Sequence, residues 1–99
     1  MTIKYEYQIT PRTPELGGGW TLTLLENGEP VGGGVFPPEY EDAELGMAWF
    51  NQLTESQRRY WLNRADSARP ADAWDRFLLE EAHVAAQEEG RAWLNSRRS

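Results

Sequence analysis

The sequence predicts an α+β fold. An N-terminal three-stranded antiparallel meander over residues 2–10, 20–26 and 29–36 is expected to pack against three C-terminal helices over 41–53, 55–65 and 70–96. Three observations predict it. Apolar and polar residues alternate with period two as far as residue 36. An Asn-Gly pair separates two of the alternating runs. Beyond Pro37-Pro38 the apolar spacing changes to three and four residues. A chain of 99 residues is one domain's worth, so 1–99 reads as a single compact domain with a frayed tail at 96–99.

The first strand shows Ile3, Tyr5, Tyr7 and Ile9 on one side and Lys4, Glu6, Gln8 and Thr10 on the other. Pro11, Pro14 and Gly17-Gly18-Gly19 form a loop. Trp20, Leu22 and Leu24 alternate with Thr21 and Thr23 in the second strand. Asn27-Gly28 then signals a type I′ hairpin, because both central residues of that turn need positive φ. A two-residue loop there places Leu24 opposite Val31, Leu22 opposite Gly33 and Trp20 opposite Val35. Pro30 has no N–H to donate, which puts the third strand at an edge. Gly32-Gly33-Gly34 leaves a bare strip on that strand. Aromatic rings from the helices are expected to cover it, and the alternative is pairing of the edge with another chain.

Pro37-Pro38 ends the sheet. Glu39, Glu41, Asp42 and Glu44 crowd the start of the first helix, where negative charge suits the helix dipole, and Leu45, Trp49 and Leu53 form its apolar stripe. Thr54-Glu55-Ser56-Gln57 reads as a capping box opening the second helix. Pro70 suits the first turn of the third. On that helix Trp74, Leu78, Ala82, Ala85 and Ala92 define a stripe, and Glu81 falls inside it. Glu81 is therefore a candidate structural buried carboxylate, tying helices together through an indole, a tyrosine or Arg58, Arg59 or Arg64. His83 projects from the polar side of the same helix.

Composition narrows the chemistry. Cysteine is absent and there is one histidine, which excludes disulfides, thiol nucleophiles, iron–sulfur clusters and multi-histidine metal sites. No metal and no cofactor is expected. Neither glycine triplet is a phosphate loop, because the GK[ST] ending is missing. No catalytic residue is assigned, and the chain reads as a non-enzyme. The N-terminus lacks an apolar signal core and no run reaches membrane-spanning length, so a cytoplasmic protein with no membrane contact is expected. Five tryptophans point to an aromatic core.

Charge is unevenly spread. The net charge is −6. Residues 13–57 contain no Lys or Arg and carry eight acids, whereas 58–99 hold eight arginines and seven acids. The acidity belongs to the middle of the chain. A solvated face is one reading of it; a docking patch for a basic partner is the other. The candidate partner-binding residues are Glu26, Glu29, Glu39, Tyr40, Glu41, Asp42 and Glu44, with Trp93 as a second aromatic anchor at the far end of the third helix. Direct nucleic-acid binding is disfavoured, since phosphate contacts need Lys and Arg.

The strings Leu16-Gly-Gly-Gly-Trp-Thr-Leu-Thr-Leu-Leu, Val31-Gly-Gly-Gly-Val-Phe-Pro, Gly46-Met-Ala-Trp-Phe-Asn and Ser67-Ala-Arg-Pro-Ala-Asp-Ala-Trp resemble small uncharacterised proteins carried on integrative and conjugative elements of proteobacteria. So does the stretch from Glu80-Glu-Ala-His to Ala92-Trp-Leu. The resemblance implies a bacterial cytoplasm and a mobile genetic element, and carries over no site residue. Small acidic proteins in that setting often act by binding.

The leading expectation is a non-enzymatic interaction protein that binds a protein partner through the acidic surface of residues 26–44. One alternative is an anti-defence inhibitor, an anti-CRISPR or anti-restriction protein acting as an acidic nucleic-acid mimic. Another is a small carboxylate-dependent enzyme using Glu81. A homodimer through the open sheet edge or Trp93 is a further alternative.

Overall fold

The computed structural model describes residues 2–38 and 43–97. Strands β1 (Tyr5–Pro11), β2 (Trp20–Glu26) and β3 (Glu29–Phe36) form one antiparallel sheet in the order β1-β2-β3. Helices α1 (Ala43–Gln52), α2 (Glu55–Ala65) and α3 (Pro70–Arg97) follow, so the α+β class holds. A short 3-10 turn, Pro14–Leu16, interrupts the first loop. The contacts of the chain fall into two compact units. One comprises the sheet with α3 from Glu81 onward; the other runs from Pro38 to Glu80.

In the sheet unit, Asn27 (φ 52°) and Gly28 (φ 83°) make the predicted turn, and Asn27 Oδ1 also accepts the Lys4 N–H at 2.9 Å. The predicted register holds only for the two pairs nearest the turn, Glu26 with Glu29 and Leu25 with Pro30. Beyond them the ladder shifts by one residue. Leu24 faces Gly32, Leu22 faces Gly34 and Trp20 faces Phe36. Val31 is the extra residue of a bulge, which leaves it and Val35 about half exposed. Gly33 makes the shift feasible. It adopts φ +147°, and a Cβ there would lie 2.0 Å from the Leu22 carbonyl oxygen.

Tyr5, Tyr7 and Ile9 stand opposite Glu26, Leu24 and Leu22, so these positions share one face of the sheet. The second half of α3 lies on that face. Trp93 meets Tyr5 edge-on at 5.5 Å, Gly90 receives the Tyr7 ring, and His83 meets Trp20 edge-on at 4.6 Å. The spacing 83, 86, 90, 93 is a helix stripe, with Ala86 fully buried at its centre. Gly90 is where Tyr7 packs: a Cβ would sit 2.7 Å from the ring. His83 is half-buried under Trp20 and is not the exposed residue its polar neighbours suggested. Among the described residues, no helix ring lies within 4 Å of where a Cβ would stand at Gly32 or Gly34. Around Gly32 and Gly34 the only atoms a Cβ would meet belong to Leu24 and Phe36.

In the helical unit, the capping box forms as predicted. Thr54 Oγ1 accepts the Gln57 N–H at 3.2 Å, and Gln57 Oε1 accepts the Thr54 N–H at 2.9 Å. Thr54→Ala leaves the Gln57 N–H without its side-chain acceptor and is expected to cost about 1 kcal/mol, read as a lower urea midpoint at unchanged slope. The carbonyls at the end of α1 are satisfied from α2: Arg58 Nε donates to Phe50 O at 3.1 Å and Nη2 to Asn51 O at 3.0 Å. Asp66 caps α2 with φ 51°. Ser67 Oγ donates to Asp72 Oδ2 at 2.6 Å and accepts the Arg69 N–H at 3.0 Å, which fixes the entry into α3 at Pro70.

The core of this unit is aromatic. Trp49 of α1 lies 5.9 Å from Trp61 of α2, and 5.4 and 4.8 Å from Trp74 and Phe77 of α3, centre to centre. Ala73 is fully buried and Leu78 nearly so. Gly46 of α1 is buried against Trp74, and a Cβ there would come within 2.7 Å of the indole.

Candidate functional site

The acidic candidates separate on inspection. Glu26 and Glu29 stand directly opposite each other at the hairpin end; Glu29 is exposed and Glu26 half-buried. Two carboxylates on one cross-strand pair repel, so the hairpin tip holds concentrated negative charge at some cost in stability. Glu44 is exposed in the first turn of α1, where it complements the helix dipole. Glu39, Tyr40, Glu41 and Asp42 lie outside the described residues. Trp93 is half-buried, engaged by Tyr5 on one side and by the Arg97 guanidinium 5.5 Å from its ring centre.

Glu81 is exposed, so it is not the buried carboxylate its position in the stripe implied. The true buried line on α3 runs through Ala73, Leu78, Ala86 and Gly90, and Ala85 and Ala92 are exposed. Glu81 lies on the side of α3 opposite Ala86 and Gly90. The neighbouring Glu80 holds the helices of its unit together instead. Arg64 of α2 forks onto Glu80, with Nε donating to Oε2 at 2.8 Å and Nη2 to Oε1; Arg76 Nε lies 3.7 Å from Oε2. The Glu80 hydrogen bond raises the Arg64 guanidinium above its ordinary value. Both side chains of this fork remain partly exposed, so solvent screens the pair. Its signal in the sequence was Arg76, four residues before Glu80 on the same helix face.

A cleft of about 220 Å³ opens in the helical unit. Its walls are Ala43, Gly46 and Met47 of α1 and Pro70, Ala71, Trp74 and Asp75 of α3. Its origin is local. Gly46 lets the Trp74 indole lie against α1, and Pro70 and Ala71 bring only small side chains to the first turn of α3. Trp74 Nε1 is buried with no hydrogen-bond acceptor. The lining contains one charged residue, Asp75, and no cation.

Among the described residues no group of three or more His, Asp or Glu side chains is placed to hold a metal ion, and no helix is long and apolar enough to cross a membrane. Comparison with protein-family models, with curated proteins and with solved structures returned no match to this chain.

Proposed function

We infer that the chain is a non-enzymatic interaction protein that binds a basic protein partner, with the carboxylates of residues 26–44 supplying the attraction. One observation carries this reading. Residues 13–57 hold eight acids and no Lys or Arg, although the same chain places eight arginines after residue 57. Acids scattered only for solubility would be interspersed with bases, as they are in the rest of the chain. The opposed pair Glu26 and Glu29 supports it further, because a like-charge cross-strand pair opposes folding and serves an external cation better than the fold.

Reversing the charge of Glu26, Glu29, Glu39, Glu41 and Glu44 to Lys tests it. The tagged protein captures its partner from a proteobacterial lysate, the setting that the sequence resemblance implies. The reversed protein is expected to lose that partner. Raising the salt from 0.1 to 0.5 M is expected to weaken capture by the unaltered protein, since the screening length falls below about 10 Å. Retention of every captured protein by the reversed variant reduces the acidic run to solvated surface.

A further inference from the structure

We propose that the cleft between α1 and the first turns of α3 receives one apolar side chain, of leucine or phenylalanine size, from a basic segment of a partner protein. The anchor would lie against Met47, Pro70, Ala71 and Trp74, and lysines or arginines on either side of it would answer the charge of the helical unit. The inference rests on the reading of the protein as a binder of basic partners, and gives that reading an apolar point of attachment.

Size comes first. An apolar cavity of about 150 Å³ holds a six-carbon ring. The cleft offers about 220 Å³, enough for one leucine or phenylalanine side chain and too little for a folded element. The lining comes next. Six of its seven residues carry no ionisable group. Asp75, the seventh, already has an interaction within the chain and has no role in the recognition. Met47 is 51% exposed, and Ala43 and Ala71 are exposed beside it. Apolar surface gathered in a concave site sheds water when a second apolar group enters, which apolar residues scattered singly do not offer. The Met47 thioether adapts to anchors of different shape. Trp74 Nε1 is buried, so the indole presents carbon and no donor to an occupant.

Charge selects what carries the anchor. Residues 38–80 hold nine acids and five arginines, a net charge of −4. Ion pairs inside the unit cancel charges one for one, so this excess stays whichever carboxylates are paired. All five arginines follow residue 57, so α1 contributes none of them. A second copy of the chain would bring the same net charge to the same cleft, and an anionic bilayer would be repelled in the same way. A basic protein segment is attracted, and its charge adds to the burial of the anchor.

The probe is the peptide acetyl-Lys-Lys-Phe-Lys-Lys-amide. It is titrated into the full chain while the Met47 methyl group and the Trp74 indole are followed by NMR. Two comparators separate the two halves of the proposal: one replaces Phe with Ser, the other replaces every Lys with Glu. Saturable shifts at both reporters are expected at roughly millimolar peptide, the scale of one buried ring with solvent-screened charge pairs. The Ser peptide and the Glu peptide should each bind at least about tenfold more weakly. Ala71→Leu, which fills the cleft, should abolish the shifts. Met47→Ser, which removes apolar wall, should weaken binding about fivefold. The comparator peptides leave the protein unaltered, so they decide the question even where a variant does not fold. Sedimentation of the parent should show a monomer.

The proposal is overturned by any of four results: the Ser peptide binding as tightly as the Phe peptide, the Glu peptide binding as tightly as the Lys peptide, shifts that persist unchanged in Ala71→Leu and Met47→Ser, or a parent dimer that Ala71→Leu disperses, which gives the cleft to a second copy. Loss of the Phe dependence alone, with Lys still preferred to Glu, leaves the acidic-run reading intact, to be judged by charge reversal. Capture that ignores charge reversal removes that reading, whatever the peptides do.

Discussion

Replacing Trp49 with alanine is expected to destabilise the helical unit by about 3 kcal/mol, the lower end of the range for removing a packed aromatic ring, because Trp49 is only half-buried. A chain of this length has on the order of 5–15 kcal/mol in total. The cost is concentrated at this residue for a structural reason. Its ring meets three aromatic rings of the other two helices of the unit: Trp61 of α2, and Trp74 and Phe77 of α3. Each edge or tilted aromatic pair adds roughly 0.5–1.5 kcal/mol beyond the area it buries, so the alanine variant loses several such terms together. Trp49→Phe keeps a ring in the cluster and is expected to cost about a third as much. Urea unfolding followed by near-ultraviolet circular dichroism measures both. A Trp49→Ala loss below about 1 kcal/mol, comparable to the Thr54→Ala cap variant, shows that the cluster does not organise the unit.

Features decided within a few residues were legible in the sequence. Asn27-Gly28, the Thr54–Gln57 box and Pro70 at the start of α3 all appear where their local chemistry places them, because a turn or a cap is settled by φ preferences and by hydrogen bonds across three residues. Features decided by distant partners were not. The turn predicts the pairing of β2 with β3 for two residues. After that the bulge at Val31 brings Phe36 opposite Trp20, an arrangement that depends on side chains sixteen residues apart. The stripe of α3 was misjudged in the same way. Its phase in the sheet unit is set by where Trp20, Tyr7 and Tyr5 receive His83, Gly90 and Trp93, and none of those strand residues is near α3 in sequence. A stripe drawn through Ala85 and Ala92 placed Glu81 inside; the stripe that forms runs through Ala86 and Gly90 and leaves Glu81 in solvent.

The candidate site was legible as charge and not as shape. Counting acids and bases along the chain located the run from 13 to 57 without any coordinates. The cleft has no such signature. Gly46 and Ala71 are unremarkable small residues in sequence, and their meaning appears only when Trp74 is seen lying against the first. Glu80 was overlooked because its main partner, Arg64, lies on another helix sixteen residues earlier.

Gly33→Ala is expected to cost about 3 kcal/mol or more, while the same change at Gly32 or Gly34 is neutral or stabilises by up to about 1 kcal/mol. The three glycines are adjacent, so intrinsic propensity cannot separate them. Geometry does. At Gly32 a Cβ meets the Leu24 side chain at 3.6 Å, and at Gly34 it meets the Phe36 ring at 3.8 Å, both ordinary contacts. At Gly33 it lies 2.0 Å from the Leu22 carbonyl oxygen and 3.2 Å from Thr23 Cα, at a φ of +147° that L-residues avoid. Backbone atoms of a central strand have nowhere to go, so β3 must move. The nearest alternative is the register that the Asn27-Gly28 turn sets when no bulge follows it, with Leu22 opposite position 33 and Trp20 opposite Val35. That register takes Phe36 away from Trp20 and gives up the apolar contact that favours the bulge. Urea midpoints of the three alanine variants measure the difference. Cross-strand proton contacts in any folded Gly33→Ala protein identify the register, Trp20 with Phe36 in the parent and Trp20 with Val35 after the slip. Equal stability of all three variants with the Trp20–Phe36 contact retained means that Gly33 is not held at positive φ, and that the bulge has another cause.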